Sequence, residues 1–200
     1  MKLKNLIVPA VAIVVIAAIL LGVNVGTSAL RAQNIQKEHI YMMQTLLPGS
    51  ESFVLEPYTG EDTSVRSVHK AENGFVVETA VRGYVDEIIL MVGVSNEGKV
   101  TGLVVRDMNE TPGLGMNALT DHVFLSKFLN TSGNAVIYTG ADAASFATSE
   151  TETASDGSEV NVDAITGATV TSKAIARAVN SAVAVVTGAD AASAATSWGG

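Results

Sequence analysis

Hydrophobic and polar positions divide the chain into stretches of different period. From Asn5 to Leu30 no residue is charged, and the centre of that stretch, 6–25, reads LIVPAVAIVVIAAILLGVNV. A helix rising 1.5 Å per residue needs about twenty apolar residues to cross a bilayer's hydrocarbon layer. This run is longer than the about 7–15 apolar residues of a secretory signal core, which favours a retained anchor, although Thr27-Ser28-Ala29 would suit a signal peptidase. Lys2 and Lys4 predict an N-terminus inside the cytoplasm, a contrast weakened by Arg31 and Lys37, and the remainder of the chain then lies outside. No ionisable residue falls within the span, so this helix offers no step to a proton or a cation.

Beyond the anchor, Ile35, Ile40, Met43 and Leu46 recur at near-helical spacing until Pro48-Gly49, predicting a juxtamembrane helix. Glu51 to Asp62 reads as loop. Strand-like runs follow at Val65 to His69, Phe75 to Tyr84, Glu87 to Val94 and Lys99 to Arg106, the last two joined by the hairpin signal Asn96-Glu97-Gly98. Helical spacing returns over Met116 to Asn130, and Val136 to Tyr138 suits a short strand. Over Ser172 to Thr187, Ile175, Val179, Ala182, Val183 and Val186 form one stripe that stops at Gly188. Consecutive strands with helices around them predict an α+β fold: an N-terminal transmembrane helix, then one extracytoplasmic domain with an antiparallel sheet flanked by helices. The boundaries are an anchor at 1–30, a juxtamembrane helix at 31–50, a main domain at 51–188 and a C-terminal tail at 189–200.

Charge and composition narrow the function. Residues 31–200 carry 10 basic against 20 acidic side chains, so no nucleic-acid partner is expected. Without cysteine the chain can form no disulfide, thiolate nucleophile or cysteine-held metal centre, so any redox centre is of another kind. His39, His69 and His122 are scattered, with no metal-binding spacing, and no metal site is expected. The segments 139–150 and 187–198 agree at 10 of 12 positions; they read as surface spacers, the first leading into a flexible insertion over 140–160. Tyr84 and Tyr138 read as half-buried strand residues, and Trp198 as an exposed tail aromatic.

Two segments can carry chemistry. In 163–172, DAITGATVTS, the small residues Gly167 and Ala168 let a bulky group approach the backbone, and hydroxyls crowd one turn at Thr166, Thr169, Thr171 and Ser172. Read from its residues alone, the segment has two meanings. Thr171 or Ser172 caps the last helix, or the free amides and positive end of that helix receive a phosphate beside the same hydroxyls. Glu110-Thr111-Pro112-Gly113-Leu114-Gly115 reads as a tight turn before the next helix; its Gly-x-Gly-x-x-Ala spacing only imitates a dinucleotide fingerprint, since no βαβ unit follows.

DAITGATVTS resembles the flavinylation signature of the FMN-binding family found in the G subunit of the Rnf electron-transport complex and the C subunit of the sodium-translocating NADH:quinone reductase. ETPGLG, Gly83-Tyr84 and the hairpin EIILMVGVSNEGKVTGLVV over 87–105 resemble the same family. The resemblance implies FMN held covalently as a phosphoester on Thr169. Thr166, Gly167 and Ala168 complete the motif, Asp163 is its leading acid, read by a flavin transferase during maturation, and Thr171 is the next hydroxyl available. It implies that Glu110, Thr111, Pro112, Gly113, Leu114 and Gly115 pack beside the isoalloxazine ring, and that 51–188 is the FMN-binding domain. Covalent attachment suits an extracytoplasmic site, where a noncovalent flavin would leave by mass action. The expectation is an electron-transfer subunit in the cytoplasmic membrane, working with other membrane subunits of an Rnf-type ferredoxin:NAD oxidoreductase. The alternatives are a stand-alone extracytoplasmic flavin reductase, or an anchored binding or scaffold module whose TGAT is only a cap.

Overall fold

A computed structural model describes residues 4–138 and 160–188, with the side chains of 4–12, 14, 24, 25, 28–32 and 138 outside the described set. The insertion expected over 140–160 lies outside it save for residue 160. So do the first duplicated segment, all but 187 and 188 of the second, the tail at 189–200 and Trp198. The chain divides into two units, Met1–Tyr41 and Met42–Gly200.

The described part of the first unit, residues 4–41, lies within helix α1 (Lys4–Leu46), whose backbone is helical through the whole apolar window. In that window Ile13, Ile16, Ile19, Leu20 and Leu21 are all exposed. Among the described residues no helix is long and apolar enough to cross a membrane. The described side chains of the window are confined to 13 and 15–23, a shorter run than the sequence offers. The membrane span expected from the sequence is thus not shown among the described residues.

The second unit is built on a five-stranded antiparallel meander, β1 (Val54–Glu56), β2 (Val65–Ala71), β3 (Gly74–Arg82), β4 (Glu87–Ser95) and β5 (Val100–Asp107), paired in chain order. Alternation along β3 and β4 sends side chains to two faces because successive residues of a strand point opposite ways. Val77 pairs with Val92 and Val81 with Ile88. These face a core shared with Ile175, Val179, Ala182 and Val183 of the last helix, α4 (Thr169–Thr187), each 0 or 1% exposed. The opposite face, with Ala71, Val76 and Met91, is covered by Met43, Leu46 and Leu47 at the end of α1.

That covering depends on two facing glycines. Gly93 pairs with Gly102 across β4 and β5. A Cβ on Gly93 would sit 2.6 Å from the carbonyl oxygen of Leu46, and one on Gly102 would sit 3.1 Å from Leu46 Cδ2. Thr101 Oγ1 donates a 2.6 Å hydrogen bond to that Leu46 carbonyl, one of the acceptors a helix end leaves free.

Between β5 and α4 come two short helices, α2 (Gly115–Thr120) and α3 (His122–Ser126), and a parallel two-stranded sheet of β6 (Ala135–Tyr138) and β7 (Val160–Asp163). The single helix expected over Met116 to Asn130 is thus two. Asp121 adopts an extended conformation, and its carboxylate accepts the N–H groups of Val123 and Phe124, starting α3 afresh. Asn180 of α4 grips β6 by accepting Ala135 N–H (3.2 Å) and donating to Ala135 C=O (2.9 Å). Tyr84 is not a half-buried strand residue: β3 ends at Arg82, and the tyrosine stands 68% exposed in the turn before β4.

Candidate functional site

The two motif segments meet at the start of α4. The chain enters along β7, whose last residue, Asp163, is exposed with Lys127 Nζ 3.9 Å from its Oδ2. A turn follows, in which Ala168 N–H donates to Ile165 C=O at 2.8 Å and Gly167 has φ +80°, the left-handed region that suits glycine. Thr166 and Gly167 are exposed, Ala168 is buried, and α4 then begins at Thr169, which is half-buried.

Among the described residues no side chain caps α4. Its N-cap position is Ala168, with no side-chain hydrogen bond, so neither Thr171 nor Ser172 is the cap that the residues suggested. Both are inside the helix and fully buried, and their oxygens are engaged elsewhere: Thr171 Oγ1 donates to Glu110 Oε2 at 2.9 Å, and Ser172 Oγ accepts from Ile165 N–H at 3.3 Å. Thr169 and Thr171, two residues apart, are rotated by about 200° on a helix, which is why one reaches the surface and the other the core. Among the described residues, the start of α4 thus has no side-chain cap and carries a half-buried threonine, Thr169, in its first turn; first-turn amides left over by a helix start are suited to an anion.

The second motif reaches the same place by way of Glu110, which is 4% exposed. Its Oε1 accepts the N–H of Val85 at 3.0 Å, and its Oε2 the hydroxyl of Thr171. One carboxylate therefore ties together the turn before β4, the loop after β5 and the first turn of α4. Two glycines make room for it. A Cβ on Gly83 would lie 2.4 Å from Oε1; one on Gly115 would lie 2.2 Å from Oε2 and 2.6 Å from Thr171 Oγ1. Gly113 has a different reason to be glycine: it has open space around it and φ +80°.

Around that turn, Thr111 C=O accepts the N–H groups of Leu114 and Met116, both at 3.2 Å, and Gly113 C=O accepts Asn117 Nδ2 at 3.0 Å. Pro112 is exposed, and Leu114 is 45% exposed. A Cβ on Gly167 would meet Leu114 Cδ2 at 3.0 Å, so the Pro-Gly-Leu turn and the Thr-Gly-Ala turn are in contact. Beside Val85, the exposed Asp86 has its carboxyl held below the usual range by the Glu87 N–H first, then by Asn109 and Arg82. Lys127 and Val85 had no signal in the sequence, because one is set by a tertiary approach and the other acts through its backbone. Gly83 was flagged only through the resemblance. A separate cleft of about 350 Å³ opens beside Leu55, Tyr58 and Arg66; no predicted site residue lines it.

Fold and site together define an α+β module in which the two motif segments meet at the start of the last helix. The chain belongs to the FMN-binding domain family, whose model matches residues 83–184. It is 37% identical over 113 residues to the G subunit of the proton-translocating ferredoxin:NAD(+) oxidoreductase complex of Clostridium ljungdahlii, covering 56% of this chain and 53% of that one. To the G subunit of the Na(+)-translocating ferredoxin:NAD(+) oxidoreductase complex of Acetobacterium woodii it is 34% identical, covering 56% and 48%. The aligned part spans about half the length of these two relatives. The G subunit of the ion-translocating oxidoreductase complex of Methanosarcina acetivorans is 29% identical over 195 residues, covering 91% of this chain and 93% of that one. The C subunit of the Na(+)-translocating NADH-quinone reductase from Parabacteroides distasonis shares the fold, with a TM-score of 0.51 at 16% identity over 80% of this chain and 96% of that one.

Proposed function

We propose that this chain is the FMN-carrying electron-transfer subunit of an Rnf-type, ion-translocating ferredoxin:NAD oxidoreductase. It is anchored in the cytoplasmic membrane by the apolar window 6–25, its flavin domain lies outside the cytoplasm, and its FMN is esterified to Thr169. The observation that carries the reading is the division of hydroxyls at the start of α4. Thr171 and Ser172 are buried and engaged, whereas Thr169 is half-buried at a helix start that no described side chain caps. The same division argues against a scaffold module, since that reading needs the motif's hydroxyls as a cap.

FMN supplies one- and two-electron transfer; the protein supplies attachment, orientation and field. Thr169 provides the oxygen of the phosphoester. The resulting phosphodiester keeps one negative charge, which the first-turn amides and the positive end of α4 offset. Gly167 and Ala168 keep the approach free of side-chain bulk, and Thr166 lines it. Pro112, Gly113 and Leu114 form the exposed turn that would hold the ring, while Thr111 fixes that turn through its carbonyl. Asp163, exposed one turn ahead, is the acid offered to a flavin transferase. Electron exchange takes place with other membrane subunits of the complex.

Thr169→Ala, coexpressed with a flavin transferase, should lose in-gel flavin fluorescence, while Thr171→Val keeps it. Fluorescence retained by the alanine variant would refute attachment at Thr169. A flavin reductase acting alone would turn over without partner subunits; the relay predicts almost no turnover from the isolated chain.

A further inference from the structure

Two carboxylates are buried among the described residues, Glu78 at 7% exposure and Glu110 at 4%. They are treated differently. Glu78 is paired with the guanidinium of Arg106. Glu110 forms no ion pair among the described residues, and its two oxygens are met by neutral donors, the Val85 N–H and the Thr171 hydroxyl. Burying a carboxylate costs far more than burying an amide, and a glutamine could bridge the same two positions, its oxygen accepting from Val85 and its nitrogen donating to Thr171. Bracing alone therefore does not explain an acid here. What a carboxylate adds is a negative charge that no ion pair among the described residues neutralises, in a poorly solvated place where its field is little screened by water or salt.

We propose that the buried carboxylate of Glu110 holds down the reduction potential of the flavin, an inference that rests on FMN being attached at Thr169. Glu110 is one hydrogen bond from α4, two residues beyond that attachment point, and one residue before the turn whose Leu114 contacts Gly167. Taking up two electrons and one proton leaves the isoalloxazine with one more negative charge than its oxidised form. A fixed negative charge beside it opposes that change and stabilises the oxidised flavin. Thr171 moderates the effect, because its hydroxyl partly satisfies the carboxylate.

The test uses the full chain, coexpressed with a flavin transferase and purified in detergent, with the flavin's midpoint potential measured by spectroelectrochemical titration. Glu110→Gln keeps the shape and removes the charge; its potential should move to a more positive value. Thr171→Val keeps the charge and removes a donor; its potential should move the other way. Because the second variant leaves Glu110 in place, it tests the idea even if the first does not fold. Unchanged potentials, shifts of the same sign, or a folded Glu110→Gln that takes up no flavin would each overturn the proposal and leave Glu110 a brace. The intact mass of the unaltered chain separates this from failure of the attachment itself: a mass without FMN refutes the reading on which the proposal stands, whatever Glu110 does.

Discussion

Thr171 Oγ1 and Glu110 Oε2, 61 residues apart in the chain, are joined by a buried 2.9 Å hydrogen bond that fastens the loop after β5 to the first turn of α4. A Cβ on Gly83 or on Gly115 would fall against this carboxylate, so these two glycines are fixed by contact. Gly115→Ala would drive a methyl group into both partners and should cost about 1–3 kcal/mol, the usual penalty for overpacking a filled site. Gly113→Ala, in open space, meets only the backbone penalty of a left-handed residue, about 1–2 kcal/mol. Urea denaturation of the two variants should show the larger loss at Gly115; the reverse order would mean that the carboxylate is not packed as described.

The end of α1 belongs to the folded domain as much as to the helix before it. Leu46 is 1% exposed against Val76 and Met91 on the outer face of the sheet. Leu46→Ala should lower the stability of the domain by about 2–5 kcal/mol, as large-to-small core substitutions do. A thermal midpoint equal to that of the unaltered chain would show that residues 42–47 do not pack on the sheet.

Asn180 holds both polar groups of Ala135 in a buried position. Asn180→Leu should leave an N–H and a C=O without partners, at about 1–3 kcal/mol for each group that water does not reach. Hydrogen exchange at the Ala135 amide reads this directly: strong acceleration in the variant is expected, and unchanged protection would contradict the pairing.

Acid stability has an identifiable contributor in Asp62. Burial raises its pKa, but hydrogen bonds from the hydroxyls of Ser64 and Ser181, the Ser64 N–H and the charge of Arg177 together hold it below its ordinary 3.8. A carboxyl that titrates lower in the folded state stabilises fully above its unfolded pKa and loses that contribution as pH falls through the lowered value. The stability difference between the unaltered chain and Asp62→Asn should be constant from about pH 5 to 7 and shrink below about pH 4. A difference that grows on acidification would reverse the assignment.

Much of the sheet was legible because half-buried strands alternate. The runs read at Val65, Phe75, Glu87 and Lys99 became β2 to β5 with ends shifted by one or two residues. Three-residue β1 and four-residue β7 are too short for alternation to register, and the parallel pairing of β6 with β7 depends on a contact across the fold. The Met116 to Asn130 stripe hid its break, since the apolar spacing continues through Asp121 although the backbone does not. At the site, both segments could be picked out as motifs. Helix registry was harder to read: with hydroxyls at 166, 169, 171 and 172, any could have been the cap, and only the packing of α4 against Glu110 divides them into buried and reachable. That Glu110 is an internal group was invisible, because nothing local distinguishes a buried acid from a solvated one in a turn.

The central claim is chemical and has a direct measurement. Intact-mass spectrometry of the full chain, produced with a flavin transferase, should show the addition of one FMN less one water, and fragmentation should place it on the residue between Ala168 and Val170. An unmodified mass from such a preparation, or flavin found on any other hydroxyl, would contradict the account.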